Sequence, residues 1–269
     1  MTLTVTWLYV PGDRPERFAK AAASGADEII IDLEDAVAPD HKDQARTNTL
    51  TYLESHPTIP VQVRINDLTT PRGRDDLTAL TGAPALTAVR LPKVESPHTL
   101  DDLPLPAYAL LESAAGILNA AAIAAHPRTT GIALGEQDLT AELTLTSPTA
   151  LDHLRLQAVL AAAAAGLPPV PMSVYPDIRD EQGLITSCTA GRALGLFGRT
   201  AIHPRQIPPI RRAFRPTPEE TTQARDIVHA AEQTGQAAFT LPDGRFVDAP
   251  ILARARRTLT LADQLADTD

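Results

Sequence analysis

Short apolar runs of strand length recur along the chain, separated by stretches whose apolar residues return every three or four positions. The strand-like runs are Trp7–Pro11, Glu28–Leu33, Val61–Asn66, Thr87–Pro92, Ala107–Leu111, Gly131–Gly135, Val170–Tyr175 and Arg199–His203. Between them, helical periodicity covers Pro15–Ser24, His41–Glu54, Arg72–Leu80, Ala114–Ala125, Thr149–Ala165 and Glu181–Leu194. Ile29-Ile30-Ile31 has no polar alternation, as expected of a parallel strand buried on both faces. The alanine run ending at Gly166 reads as a strong helix with a glycine stop. Two strands flank one alanine-rich helix, and each stops at or just before a carboxylate, Glu112 in one case and Asp138 in the other. In such a βαβ unit the strands are parallel and their like ends lie together. Glu112 and Asp138 are therefore expected at one edge of a sheet, near enough to share a divalent cation.

Strands and helices alternating eightfold over about 210 residues predict a (β/α)8 TIM barrel. A doubly wound sheet is the competing α/β solution. The first turn, Pro11-Gly12-Asp13, has neither GxGxxG nor a P-loop, which disfavours it. The polar residues also favour a barrel, because barrel active sites are built where strands end. Those positions hold Glu34 and Asp35, Arg64 and Asn66, Lys93, Glu112, Asp138, Tyr175 and Asp177, and His203. The pattern changes after Phe214. Pro218–Gln233 reads as a helix with Thr217 as its N-cap. A hairpin follows around Leu241-Pro242-Asp243-Gly244, and a last helix starts near Ala249. Residues 1–214 are thus expected to form the barrel. Residues 215–269 are expected to be a helix-hairpin-helix extension packing on the barrel or on a neighbouring subunit.

Composition narrows the function class. The formal net charge is −9 and no basic stripe runs along the chain, which argues against nucleic-acid binding. No apolar run approaches the length of a membrane span, and the first residues lack a signal-peptide pattern. The single cysteine, Cys188, fits a reducing cytoplasm and reads as a small buried hydrophobe. Basic clusters at Arg14/Arg17/Lys20, Lys42/Arg46 and Arg211/Arg212/Arg215 are candidates for a phosphorylated small molecule.

Several motifs stand in order along the chain: Leu8-Tyr9-Val10-Pro11-Gly12, Asp32-Leu33-Glu34-Asp35-Ala36-Val37 with Lys42 and Arg46, and Val63-Arg64-Ile65-Asn66. Leu91-Pro92-Lys93, Leu111-Glu112-Ser113, Gly135-Glu136-Gln137-Asp138-Leu139, Ile202-His203-Pro204-Arg205-Gln206 and the stretch Asp243 to Pro250 follow. In these the chain resembles the citrate lyase β-subunit-like branch of the HpcH/HpaI aldolase superfamily. The resemblance implies a Mg²⁺-dependent carbon–carbon lyase, with Mn²⁺ able to substitute. It would act on a β-hydroxyacyl-CoA thioester of the citryl, malyl, citramalyl or hydroxymethylglutaryl type. The products would be a 2-oxo acid and an acyl-CoA, and the enzyme commonly a homotrimer. Three positions depart from the pattern: Thr6-Trp7 stand where Arg-Ser is frequent, Pro171-Met172 where an Asp is frequent, and Arg199 where a Lys is frequent.

The chemistry assigns roles to these positions. Mg²⁺ takes oxygen ligands and typically one or two protein carboxylates, a count that Glu112 and Asp138 meet. Arg64 offers planar donors to an oxyanion or carboxylate, or to Glu34 and Asp35. Glu34 and Asp35 are adjacent, so in an extended strand only one faces the site, and Glu34 is expected to orient Arg64 or a water. The resemblance matches Asp248 to a position that reaches a neighbouring subunit's site as general acid/base. Its sequence context equally fits an N-cap before Ala249-Pro250. His203 is expected to make a structural hydrogen bond, and Lys93 to supply charge near the pocket. Arg14, Arg17, Lys42 and Arg46 are candidates to meet the CoA phosphates. Two rival functions are an aldolase of free hydroxy-oxo acids without CoA, and a non-catalytic barrel subunit of a larger complex.

Overall fold

The computed structural model describes residues 4–266. The first unit, Thr4–Ala213, is an alternation of strands and helices. In chain order these are β1 (Thr6–Pro11), α1 (Phe18–Ala22), β2 (Glu28–Asp32), α2 (Lys42–Glu54), β3 (Val61–Arg64), α3 (Pro71–Leu80) and β4 (Leu86–Leu91). They continue as β5 (Ala107–Leu111), α4 (Ala114–Leu118), α5 (Ala120–Ala124), β6 (Thr129–Leu134), α6 (Glu136–Glu142) and α7 (Pro148–Ala164). Next come α8 (Glu181–Ala193), β7 (Arg199–Ala201) and α9 (Ile207–Phe214).

The seven strands form one curled parallel sheet in the order β6-β5-β4-β3-β2-β1-β7. The first six are neighbours in sequence order, with no point at which the order reverses. β7 then returns beside β1, as in a sheet that is closing on itself and not in a doubly wound one. Apolar runs without polar alternation make this sheet's interior: Ile29, Ile30 and Ile31 are fully buried, as are Val61, Val63, Val89 and Leu91. Local chemistry starts the helices. Thr70 accepts from Gly73 N ahead of α3, Ser113 from Gly116 N ahead of α4, and Asp180 from Gly183 N ahead of α8.

The expected eighth strand is the main departure. Within Val170–Tyr175 only Met172 makes a β-bridge, to Arg199. The segment nevertheless bonds to the β7 side: Phe197 N donates to Val170 O, Met172 N to Gly198 O and Thr200 N to Met172 O. Towards β6 the link is a side chain, with Ser173 Oγ donating to Leu134 O. Proline at 168, 169 and 171 removes the N–H groups a full ladder needs. Two smaller corrections follow. The helix expected over Ala114–Ala125 is broken at Asn119 into α4 and α5. Asp138 does not end a strand; it lies in the first turn of α6, where acidic residues are favoured.

The second unit runs from Phe214 onward. Here α10 (Pro218–Thr234) starts with a Thr217/Glu220 capping box and ends at Gly235, whose φ of 61° suits a left-handed helix stop. A two-stranded hairpin, β8 (Phe239–Thr240) and β9 (Phe246–Val247), leads into α11 (Ala249–Ala266). Phe239, Leu241 and Val247 pack against Ala231, with Ile227 and Leu252 alongside.

Candidate active site

Strand register sets out the site. Asp32 on β2, Arg64 on β3 and Arg90 on β4 occupy one row across three adjacent strands. Asp32 is 1% exposed and holds Arg64 by its fork: Arg64 Nε donates to Oδ1 at 2.7 Å and Nη2 to Oδ2 at 2.6 Å. The same two oxygens accept Glu34 N at 2.9 Å and Ala36 N at 3.1 Å, so Asp32 also shapes the turn after β2. Because this turn is not extended, the alternation expected of Glu34 and Asp35 does not operate. Both approach Arg64 Nη1 at 3.1 Å.

Glu34 is the electrostatically unusual member. Arg64 reaches its Oε2 at ion-pair distance but not along a hydrogen-bonding direction, and that oxygen is buried with no hydrogen-bond partner. Burial, reinforced by Asp35, Glu112 and Asp32 and opposed by Arg64, pushes the Glu34 carboxyl up to about 8. Arg64 shows the opposite balance. Burial disfavours its charge, but the Asp32 carboxylate more than offsets this and holds the guanidinium firmly protonated.

Glu112 follows β5 and is 9% exposed. Its Oε2 accepts the N–H of Lys93 at 3.0 Å, and Lys93 adopts φ 53° in the turn after β4. Gly135 gives it room, since a Cβ there would lie 2.4 Å from Glu112 Cγ. Burial raises the Glu112 carboxyl, the Lys93 N–H opposes the rise and the nearby Asp138 adds to it. Glu112, Asp138 and Arg64 line one cavity of about 370 Å³, together with Asp32, Tyr9, Arg90 and Met172. No set of three or more His, Cys, Asp or Glu side chains arranged to hold a metal exists among the described residues. Glu112 and Asp138 line the same cavity, and two carboxylates with room for water and substrate oxygens is a donor set that fits Mg²⁺. The neighbouring Glu136 is engaged elsewhere, since Arg155 Nε and Nη2 donate to its two oxygens at 2.8 and 2.7 Å.

The basic candidates separate into two groups. Lys42 and Arg46, expected to meet phosphates, are tied inward. All three Lys42 donors are used, on Leu33 O, Glu34 O and Asn66 Oδ1, and Arg46 pairs with the buried Asp76 at 2.9 Å. Lys42 braces the turn that carries Glu34. Arg14 and Arg17 are exposed, and Arg17 lines a second cavity of about 470 Å³ with Lys20 and His203. Both cavities share Tyr9 and Ile202 as walls. His203 Nδ1 accepts Arg205 N in a capping box, the structural role expected of it. Lys93 Nζ lies 3.9 Å from Glu34 Oε1. Cys188 is free and buried, and burial pushes its thiol up. In the second unit, Asp248 Oδ1 accepts Ile251 N at 3.2 Å and caps α11.

Asp32 and Arg90 escaped sequence reasoning as site residues. The available signal was the same for both, a single charge inside an otherwise apolar strand run, Ile29-Ile30-Ile31-Asp32 and Val89-Arg90-Leu91.

The chain is similar to known proteins over nearly its whole length. The family model for HpcH/HpaI aldolase/citrate lyase matches residues 6–204. The (3S)-malyl-CoA thioesterase of Cereibacter sphaeroides is 40% identical over 96% of this chain and 94% of its own. The citrate lyase subunit beta-like protein of Mycobacterium tuberculosis is 41% identical over 96% of this chain and 95% of its own. The crystal structure of the M. tuberculosis protein CitE with magnesium, acetoacetate and coenzyme A superposes with a TM-score of 0.87. It is 38% identical, over 97% of this chain and 98% of that one.

Proposed function

The chain belongs to the HpcH/HpaI aldolase/citrate lyase family, and from that premise we propose how its residues perform Mg²⁺-dependent carbon–carbon cleavage of a β-hydroxyacyl-CoA thioester. The observation that carries the reading is the single cavity lined by Glu112, Asp138 and Arg64. Glu112 and Asp138 hold the metal. When bound, the ion supplies Lewis-acid polarisation of substrate oxygens. Arg64, fixed by Asp32, presents its remaining donors to the oxyanion that develops as the bond breaks. Glu34 stands beside Arg64 in the site and keeps a proton on its carboxyl near neutral pH. The thioester runs past Tyr9 and Ile202 into the second cavity, where Arg17 meets a phosphate, with the exposed Arg14 as a further phosphate contact.

Three further elements belong to the same proposal. The fold is a (β/α)8 barrel whose eighth stave is the 170–175 segment, supported by its bonds to β7 and to Leu134. The enzyme is a cytoplasmic homotrimer, in which residues 215–269 of one chain bring Asp248 to another chain's cavity as acid/base. No described helix is long and apolar enough to cross a membrane.

The test is a panel of citryl-, malyl-, citramalyl- and hydroxymethylglutaryl-CoA, with and without Mg²⁺, read by product analysis. Cleavage of at least one member to an oxo acid and an acyl-CoA is expected only with Mg²⁺, and is expected to vanish in Glu112→Ala. Release of free CoA and an intact hydroxy acid would instead indicate thioester hydrolysis. Equal turnover of the free acid would indicate an aldolase that ignores CoA.

A further inference from the structure

Arg90 is a cation in the cavity that the proposed reaction leaves unused. It is 1% exposed, yet it lines the same cavity as Glu112 and Asp138. Its Nε donates to Gln62 Oε1 at 3.0 Å, and its guanidinium lies 4.5 Å from the Tyr108 ring centre and 5.9 Å from that of Tyr9. Its Nη2 is buried and has no hydrogen-bond partner. The nearest acid through this network is Glu28, one side chain further on. Glu28 already accepts from Gln62 Nε2 at 2.9 Å, Trp7 Nε1 at 2.8 Å and Thr87 Oγ1 at 2.6 Å. Gln62 therefore stands between the two charges, and Arg90 Nη2 is left without a partner. The surroundings are built to hold this posture. Gly131 makes room for the Tyr108 ring, since a Cβ there would lie 2.4 Å from Tyr108 Cε2.

A buried guanidinium without a paired counter-charge is costly, whereas its neighbour Arg64 is met by Asp32 and Asp35. The other walls near Arg90 are apolar, Leu110, Ala133 and Met172. A planar cation with a free edge in such a place matches a carboxylate. We propose that Arg90 binds a second carboxylate of the substrate, so that the 2-oxo acid half taken by this enzyme is dicarboxylic. The proposal rests on the lyase reading above and names the substrate class within it. A site built to bond an ionic group rejects analogues that lack it, because its own buried donor is then left unpaired.

The test is calorimetric titration of 2-oxo acids in the presence of Mg²⁺. Oxaloacetate and 2-oxoglutarate are compared with pyruvate and 2-oxobutyrate, on the wild type, Arg90→Met and Arg90→Lys. The wild type is expected to bind a dicarboxylic member roughly 10- to 100-fold more tightly than the monocarboxylic ones. In Arg90→Met that ratio is expected to fall towards one, and in Arg90→Lys, which keeps the charge but loses the fork, to an intermediate value. A wild type with no dicarboxylate preference overturns the proposal, and this measurement needs no variant to fold. A preference that survives in folded Arg90→Met overturns it as well. Binding of pyruvate without the preference refutes Arg90's role alone, while failure of every 2-oxo acid to bind removes the lyase reading with it.

Discussion

Replacing Asp32 by Asn turns one carboxylate oxygen into an NH₂ group and leaves the side chain's shape alone. Each oxygen accepts two hydrogen bonds, Oδ1 from Glu34 N and Arg64 Nε, and Oδ2 from Ala36 N and Arg64 Nη2. Whichever position takes the NH₂, it faces two donors. Two bonds are lost, one of them from a guanidinium, and a buried cation keeps only half of its grip. Breaking a buried ion pair from one side costs about 3–5 kcal/mol. Because Asp35 remains beside Arg64 Nη1, the lower end, about 3 kcal/mol, is expected here. For a unit of this size that corresponds to a Tm lower by about 6–12 °C. Thermal unfolding of the wild type, Asp32→Asn, Arg64→Met and the double variant measures it, with a coupling energy of about 2 kcal/mol or more expected for the pair. A Tm for Asp32→Asn within about 1 °C of the wild type, or a coupling energy near zero, refutes the clamp.

Glu34 gives a pH signature. Its carboxyl rises from 4.5 to about 8 on folding, so the folded state binds the proton more tightly. The resulting stability is fully present below pH 4.5 and is lost as pH climbs through about 8. In metal-free protein, denaturant titrations between these limits should show stability falling with pH, and Glu34→Gln should flatten the slope; an equal slope in both refutes the shift. Gly135→Ala places a Cβ against Glu112 and should displace that carboxylate, costing about 1–3 kcal/mol of stability and weakening Mg²⁺ binding in calorimetry. Unchanged Mg²⁺ affinity would show that Glu112 does not depend on that space. Asp248→Asn should melt like the wild type, because Asn caps a helix as well as Asp does. Turnover should fall by about 100-fold or more if the carboxylate moves a proton, and wild-type turnover removes it from the reaction.

Much of this was legible in the sequence because unbroken apolar runs and proline or glycine punctuation mark buried parallel strands directly. Ala107–Leu111 matches β5 at both ends, and Glu112 stands where its strand end put it. Asp138 was legible as a residue of the cavity that Glu112 lines but not as a helical one. Gly135-Glu136-Gln137-Asp138 reads as a strand running out until the acidic first turn of α6 is recognised. Partnerships were hidden. Lys42 and Arg46 look like free cations in the sequence, and only the fold supplies Asn66 and Asp76 as their partners. The contrast between Arg64 and Arg90 was equally invisible, since it depends on register: one stands beside Asp32, the other beyond it.

The seam at Ser173 has a consequence for how the pocket adapts. Ala133 and Leu134 line the cavity on one side of it, and Met172, Ser173 and Val174 on the other, and β6 pairs with β5 alone. Across most of the sheet, widening the interior means sliding a hydrogen-bonded ladder; here it means turning one hydroxyl. A lineage can therefore retailor this wall to a longer or shorter acyl chain by single substitutions, leaving the Asp32–Arg64 clamp and the Glu112 carboxylate in place.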